Sequence, residues 1–158
     1  NAEGDLMNRP PRAVSEPIIN IGAGWRMVLV SAVMALGTLW VFWLNFDDLT
    51  YARTAALTTL IFFQLFNLFN SRSATQSVFS RGWLSNKLLL AMFALASLLQ
   101  LLAVYYPPLS AVLNLTALSA PTLMLCLTVA LSIVLVDELR KLARLALWSW
   151  VKTQAAFN

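Results

Sequence analysis

The stretch that decides the fold is MVLVSAVMALGTLWVFWLNF, residues 27–46, which contains no charged residue. A helix of about 20 apolar residues spans the ~30 Å hydrocarbon core of a bilayer. Three further uncharged apolar stretches follow, at residues 54–70, 88–106 and 118–136. Because the bilayer core holds no water to satisfy backbone polar groups, each stretch must be helical. The sequence therefore predicts an all-α membrane protein, a four-helix transmembrane bundle with short loops.

The composition agrees with this prediction and excludes several kinds of chemistry. Of 158 residues, 59% are apolar and only 11% are charged, and the mean hydropathy is +0.72. So few charged side chains could not form the surface of a water-soluble domain. The absence of histidine excludes His-containing catalytic triads and His-ligated metals. A single cysteine, Cys126, excludes an internal disulfide, and no phosphate-binding loop is present that would let this chain hydrolyse ATP by itself.

The basic residues predict how the bundle is oriented. Three lie in residues 1–26, three in residues 71–87 and four in residues 137–158, whereas the first connection holds only Arg53 and the third holds none. Loops rich in Lys and Arg stay on the cytoplasmic side, so both termini and the middle loop are predicted to be cytoplasmic. Topology accounts for the net charge of +4, and nucleic acid is not expected as a partner. Since the sequence opens Asn1-Ala2-Glu3 without an initiator methionine, we expect a piece of a longer protein.

A polar stripe crosses the second predicted span. Gln64, Asn67 and Ser71 have the spacing i, i+3 and i+7, which puts them on one side of a helix. Amide oxygens are neutral ligands for hard cations, so Gln64 and Asn67 are candidate cation-binding residues. The alternative is that these amides form hydrogen bonds to neighbouring helices and serve packing only.

The end of the fourth span carries a second polar group. Asp137 and Glu138 are followed by Lys141 at the i+4 and i+3 spacing of intrahelical ion pairs, so we predict ion pairs at the membrane interface. Beyond them, residues 137–158 separate apolar from basic side chains, which indicates an amphipathic tail on the inner membrane surface. A plain continuation of the fourth helix is the alternative.

Several segments resemble cation-transporting P-type ATPases, in particular their calcium-pump-like branch. The resemblance covers nearly the whole chain. The segments are LMNRPPR at 6–12 and EPII at 16–19, FQLFNLFNSRS at 63–73, LLQLL at 98–102 with YYPPL at 105–109, and DELRK at 137–141.

The resemblance implies that the four spans are the last four helices of such a pump. Residues 1–26 would then be a cytoplasmic coupling loop that contacts the phosphorylation domain. Its core is a stretch of two arginines and two prolines, Arg9, Pro10, Pro11 and Arg12. The implied partners are the remaining helices and cytoplasmic domains of the pump, the lipid bilayer and the transported cation. No cofactor is expected in this segment, whereas the full-length pump would use ATP and Mg.

The resemblance also has one departure. Sarcoplasmic-type calcium pumps have a glutamate ligand where this sequence has Gln64, so the site would carry one negative charge fewer. The function predicted is that of a C-terminal membrane segment, which scaffolds the transport helices of an ATP-driven, calcium-type cation pump. The alternative is a free-standing four-span membrane assembly or interaction subunit without catalytic activity.

Overall fold

A computed structural model describes the backbone of residues 21–70 and 87–157, and most side chains of these ranges up to Ala143. Five helices occur in these ranges: α1 (Ile21–Leu44), α2 (Leu49–Asn70), α3 (Lys87–Tyr105), α4 (Pro107–Leu113) and α5 (Ala120–Phe157). No strand occurs within these ranges, so the predicted all-α class is confirmed.

Four of the helices are long and apolar enough to cross a membrane. These spans are Gly24–Leu44, Leu49–Asn70, Lys87–Tyr105 and Ala120–Ala143. Each overlaps one of the four apolar stretches in the sequence, so the prediction of an integral membrane protein with four spans is confirmed. The remaining helix, α4, is too short to cross and joins the third span to the fourth.

Helix α2 lies at the centre of the bundle and packs against α1, α3 and α5. Two groups of buried apolar side chains fill the spaces around it. One lies nearer the start of α1: Met34, Phe62, Phe63, Ala130, Ile133 and Val134. The other lies nearer the opposite end: Val41, Ala55, Val104, Leu118 and Cys126. Helices α1, α2 and α5 therefore contribute to both groups, and α3 joins the second group through Val104.

Gly37 lies where α1 packs closely against side chains of α2 and α5. A Cβ atom at this position would lie 2.7 Å from Cζ of Phe63 and 3.1 Å from Cγ1 of Val129. Small residues allow helices in membranes to approach closely, because association there depends on van der Waals packing. The glycine lets α1 rest directly on side chains from α2 and α5.

Helix α2 begins earlier than the apolar stretch suggested. Its first residue is Leu49, inside the segment predicted as a connection, because Asp48 caps the helix. The Asp48 carboxylate accepts hydrogen bonds from the backbone N–H groups of Thr50 (2.9 Å) and Tyr51 (3.1 Å). An aspartate N-cap satisfies the orphan donors of the first turn. The connection from α1 is therefore only residues 45–48.

The connection between α3 and α5 also contains helical structure. Helix α3 ends at Tyr105, and Pro107 and Pro108 then occupy the first positions of α4. Proline is compatible with a first helical turn because its missing N–H has no partner there in any case. Helix α4 ends at Leu113, and its C-cap Asn114 has a left-handed backbone with a φ of 54°. Asparagine tolerates this conformation better than most residues.

Helix α5 continues without a break through the predicted tail, from Ala120 to Phe157. Within its described side chains, Leu139 and Leu142 are exposed while Asp137 and Lys141 are buried. Over residues 137–142, Asp137 and Lys141 therefore face the bundle, and the two leucines face outward. Most side chains beyond Ala143 lie outside the described set, as do residues 1–20 and 71–86.

Candidate functional site

Charged side chains from α1 and α5 meet at one end of the bundle. This ionic cluster consists of Arg26, Asp137, Glu138, Arg140 and Lys141. Arg26 comes from the second turn of α1, and the other four come from consecutive turns of α5. Asp137 is only 1% exposed and Lys141 only 3%. Charges removed this far from solvent must be paired, because the cost of desolvating them is several kcal/mol each.

Asp137 is the centre of the ionic cluster. Its Oδ1 lies 2.8 Å from Nη2 of Arg140 and 3.5 Å from Nε of Arg26. Its Oδ2 lies 3.0 Å from Nζ of Lys141, which also lies 2.9 Å from Oε1 of Glu138. One buried carboxylate thus contacts three cations. The spacing predicted for Asp137, Glu138 and Lys141 brings their charged atoms together on one turn of α5.

Arg26 makes a second contact that extends the cluster to α2. Its Nη2 donates a hydrogen bond of 2.9 Å to the backbone carbonyl of Asn70, the last residue of α2. The last carbonyls of a helix lack intrahelical partners and carry partial negative charge, so a guanidinium suits them. The Asn70 side chain is fully buried and donates from Nδ2 to the carbonyl of Ile133 in α5, at 3.1 Å. Three helices are therefore joined at this end.

The sequence did not identify Arg26 or Asn70 as site residues. Arg26 counted only as one of the positive charges that set the orientation, and Asn70 only as a polar residue of the second span. One signal was available: Arg26 and Asp137 have opposite charges and flank the first and fourth spans on the same predicted side. Their pairing depends on the two helices being neighbours, which α1 and α5 are.

Gln64 lies on the face of α2 that points away from the core. This face is exposed and comprises Arg53, Leu57, Leu60, Gln64 and Leu68. The Gln64 amide nitrogen lies 3.8 Å from Sδ of Met34 in α1, a weak contact at most. An amide at the depth of the hydrocarbon core needs a polar partner, because lipid chains offer none.

Asn67 sits further inward than Gln64. Its side chain is half-buried, and its Oδ1 is buried and accepts no hydrogen bond from the residues described. Ser71, the third member of the predicted stripe, and the four residues Arg9, Pro10, Pro11 and Arg12 lie outside the described ranges. In residues 21–70 and 87–157, no group of three His, Cys, Asp or Glu side chains could hold a metal ion. Ligands from elsewhere would have to complete a cation site at Gln64 and Asn67.

The opposite end of the bundle is joined by hydroxyl groups. We call Tyr51, Ser119 and Thr122 the hydroxyl cluster. The Tyr51 hydroxyl oxygen lies 2.9 Å from Oγ1 of Thr122 and 3.1 Å from Oγ of Ser119, and it accepts a 3.0 Å hydrogen bond from the Ser119 backbone N–H. Nearby, the Thr54 hydroxyl accepts a hydrogen bond from the backbone N–H of Thr116. These bonds fix the segment between α4 and α5 against the start of α2.

The family profile and the individual relatives that match this chain belong to cation-transporting ATPases. Residues 1–143 match the sequence profile described as "Cation transporting ATPase, C-terminus". The mouse calcium-transporting ATPase type 2C member 2 is 36% identical over 142 residues, which cover 87% of this chain and 15% of the relative. The human calcium-transporting ATPase type 2C member 1 is 32% identical over 140 residues, with the same coverage.

A bacterial relative shows the same likeness. The calcium-transporting ATPase of Bacillus subtilis (strain 168) is 36% identical over 121 residues, covering 74% of this chain and 14% of the relative. The chain thus spans only about 15% of the length of the relatives that it matches. The family profile, by contrast, extends over most of the chain and includes all four spans up to Ala143. The chain therefore belongs to the cation-transporting ATPase family and corresponds to its C-terminal region.

Proposed function

We propose that this chain is the C-terminal membrane segment of an ATP-driven pump that transports calcium or a similar cation. The match of residues 1–143 to the family profile carries this proposal. The relatives named above as calcium-transporting ATPases support calcium as the cation. The comparisons do not favour a free-standing assembly subunit, because the likeness is to one end of much longer transporters.

The ATPase chemistry in this proposal belongs to the rest of the full-length protein, which would bind ATP and Mg. The four spans contribute a scaffold for the transport helices. Because α1 begins at Ile21, the coupling loop is confined to the residues before that helix rather than extending to residue 26. In this loop the two prolines stiffen the chain, and Arg9 and Arg12 offer bidentate donors to carboxylates of the phosphorylation domain. Both termini lie in the cytoplasm, a topology supported by the distribution of Lys and Arg.

Gln64 and Asn67 are the residues that we assign to the cation path. Gln64 supports the assignment because its amide lies on an exposed face of a membrane span, where contact with lipid alone would leave it unsatisfied. That face of α2 would instead contact the transport helices of the full-length pump. The buried Oδ1 of Asn67, which accepts no hydrogen bond from the described residues, is an oxygen ligand of the type that hard cations take.

The experiment that tests the pump function uses the full-length protein in membranes. ATPase activity and phosphoenzyme formation are measured against a panel of Ca²⁺, Mg²⁺, Mn²⁺, Na⁺ and K⁺. We expect one of these cations, calcium first, to stimulate formation of an acid-stable phosphoenzyme. A full-length protein that lacks cation-stimulated ATPase activity would contradict the proposal.

The variant Gln64→Ala tests the ligand role in the same preparation. We expect a higher cation concentration for half-maximal phosphorylation, with nearly unchanged expression. The matched control is Gln100→Ala, which removes an amide that is buried and bonded to Oγ1 of Thr58 at 3.0 Å. The control should lower stability without altering the cation dependence. If Gln64→Ala likewise lowers stability and leaves the cation dependence unaltered, Gln64 is a packing residue.

A further inference from the structure

In the first two turns of α1, the described side chain of Arg26 contacts both α2 and α5. The outward residues of these turns are highly exposed, with Trp25 at 71%, Met27 at 56% and Val28 at 60%. Arg26 turns inward and is only 22% exposed at its side chain. The apolar packing of α1 against the core begins further along the helix, with Val30, Val33 and Met34. Among the side chains described before Val30, the Arg26 contacts therefore hold α1 where apolar packing is sparse.

The orientation of Arg26 is not what membrane partitioning alone would give. A long basic side chain near the end of a span usually extends toward the lipid headgroups and water. Arg26 instead contacts the Asn70 carbonyl at 2.9 Å and Asp137 at 3.5 Å. Its planar fork of donors can serve two acceptors at once, which a lysine ammonium does less well. This geometry joins α1 to the end of α2 and to α5 through one residue.

Charge balance does not explain why Arg26 is needed in the cluster. The ionic cluster contains two carboxylates, Asp137 and Glu138, and three cations. Without Arg26, Asp137 keeps its contacts with Arg140 at 2.8 Å and Lys141 at 3.0 Å. The buried carboxylate would stay paired, so the contribution of Arg26 is geometric: it sets where α1 begins relative to α2 and α5.

We propose that Arg26 is a positioning residue that clamps the start of α1 to the ends of α2 and α5, so that these three helices respond as one body when the chain preceding α1 moves. This inference rests on the proposed pump function, because movement of that chain matters only if it is coupled to ATP use. Residues 1–20, with the Arg-Pro-Pro-Arg stretch, directly precede α1. A loose start of α1 would absorb part of any displacement before it reached the bundle.

The test compares Arg26→Gln, Arg26→Lys and wild type in the full-length protein. The matched control is Arg53→Gln, the same chemical change at an exposed position near the other end of the bundle. For Arg26→Gln we expect turnover per folded molecule to fall about 2- to 30-fold, the range of single coupling residues. The cation concentration for half-maximal phosphorylation should stay unchanged, Arg26→Lys should restore part of the turnover, and Arg53→Gln should behave as wild type.

A second measurement tests directly whether Arg26 holds the start of α1 in place. Spin labels at Val28 and Leu139, both exposed, report the distance between the start of α1 and α5, in a full-length background with other accessible cysteines replaced. Arg26→Gln should broaden this distance distribution, and Arg26→Lys should broaden it less. An unchanged distance distribution in Arg26→Gln would contradict the proposal. A broadened distribution with unchanged turnover per folded molecule would also contradict it, because Arg26 would then have only a structural role. If wild type forms no cation-dependent phosphoenzyme, the pump function has failed, and the distance measurement alone decides whether Arg26 holds α1.

Discussion

The two ends of the bundle are joined by different chemistry. At one end, the ionic cluster connects α1, α2 and α5 through charged side chains, with Asp137 almost fully buried. At the other end, the hydroxyl cluster connects α2 and α5 through neutral groups around Tyr51, which are partly exposed. Both ends join helices that are far apart in the chain. The two ends differ in how the remaining groups are left when one residue of the cluster is substituted.

A neutral hydroxyl network loses only the bonds that it made, since its partners can turn to water. The net worth of such a hydrogen bond is about 0.5–1.5 kcal/mol. A buried ionic cluster behaves differently, because removal of one charge leaves others buried without compensation, at a cost of about 3–5 kcal/mol. We therefore expect the ionic end to be intolerant of substitution at its centre and the hydroxyl end to be tolerant.

The largest effect is expected for Asp137→Ala. This change removes the carboxylate that lies within 3.5 Å of Arg26, Arg140 and Lys141, and leaves Glu138 as the only carboxylate of the cluster. We expect a loss of about 3–5 kcal/mol in stability. Thermal unfolding of the full-length protein in detergent measures it, with Asp47→Ala at an exposed position as the control. Equal unfolding temperatures for the two variants would contradict the claim that the ionic end is intolerant of substitution at its centre.

A substitution between the two ends tests the close packing of α1 against α2 and α5. In Gly37→Ala the new methyl group would lie 2.7 Å from Cζ of Phe63, so α1 must move away from α2 and α5 or Phe63 must shift. Overpacking of this kind costs about 1–3 kcal/mol. Gly24→Ala is the matched control, because nothing lies within 4 Å of a Cβ there. Both variants are compared by thermal unfolding, and a stabilising effect of Gly37→Ala would contradict the close packing.

The smallest effect is expected for Tyr51→Phe. The variant keeps the ring and loses the hydroxyl that contacts Ser119 and Thr122. Since Ser119 and Thr122 also lie 2.9 Å from each other, they retain one polar contact, and we expect a loss of about 1 kcal/mol. Tyr106→Phe, at an exposed tyrosine, is the control. A loss as large as that of Asp137→Ala would show that the hydroxyl end is no more tolerant than the ionic end.

Parts of this molecule could be predicted from sequence because they depend on residues close together in the chain. The four apolar stretches required four spanning helices, and the spacing of Asp137, Glu138 and Lys141 put their charges on one turn. The Asp48 cap is also local, although the second span was predicted to start at residue 54. The helix at Pro107–Leu113 was not predicted, although prolines suit the first positions of a helix.

Other parts depended on which helices become neighbours. The stripe of Gln64 and Asn67 was predicted as one surface, but the structure turns Gln64 outward and Asn67 partly inward. The role of each in cation binding stays a prediction. The hydrophobic pattern could not separate them, because every face of a membrane helix is apolar and the pattern carries little information about its orientation.

The sequence by itself determined that this chain crosses a membrane four times as helices, because a bilayer leaves long apolar stretches no other way to satisfy their backbone. It also carried the segments that relate the chain to cation-transporting ATPases. Only the tertiary structure decided that Arg26 would meet Asp137 and the Asn70 carbonyl. That meeting depends on packing between α1, α2 and α5 around Gly37 and Phe63, and such shape complementarity is a property of the assembled helices rather than of any one of them.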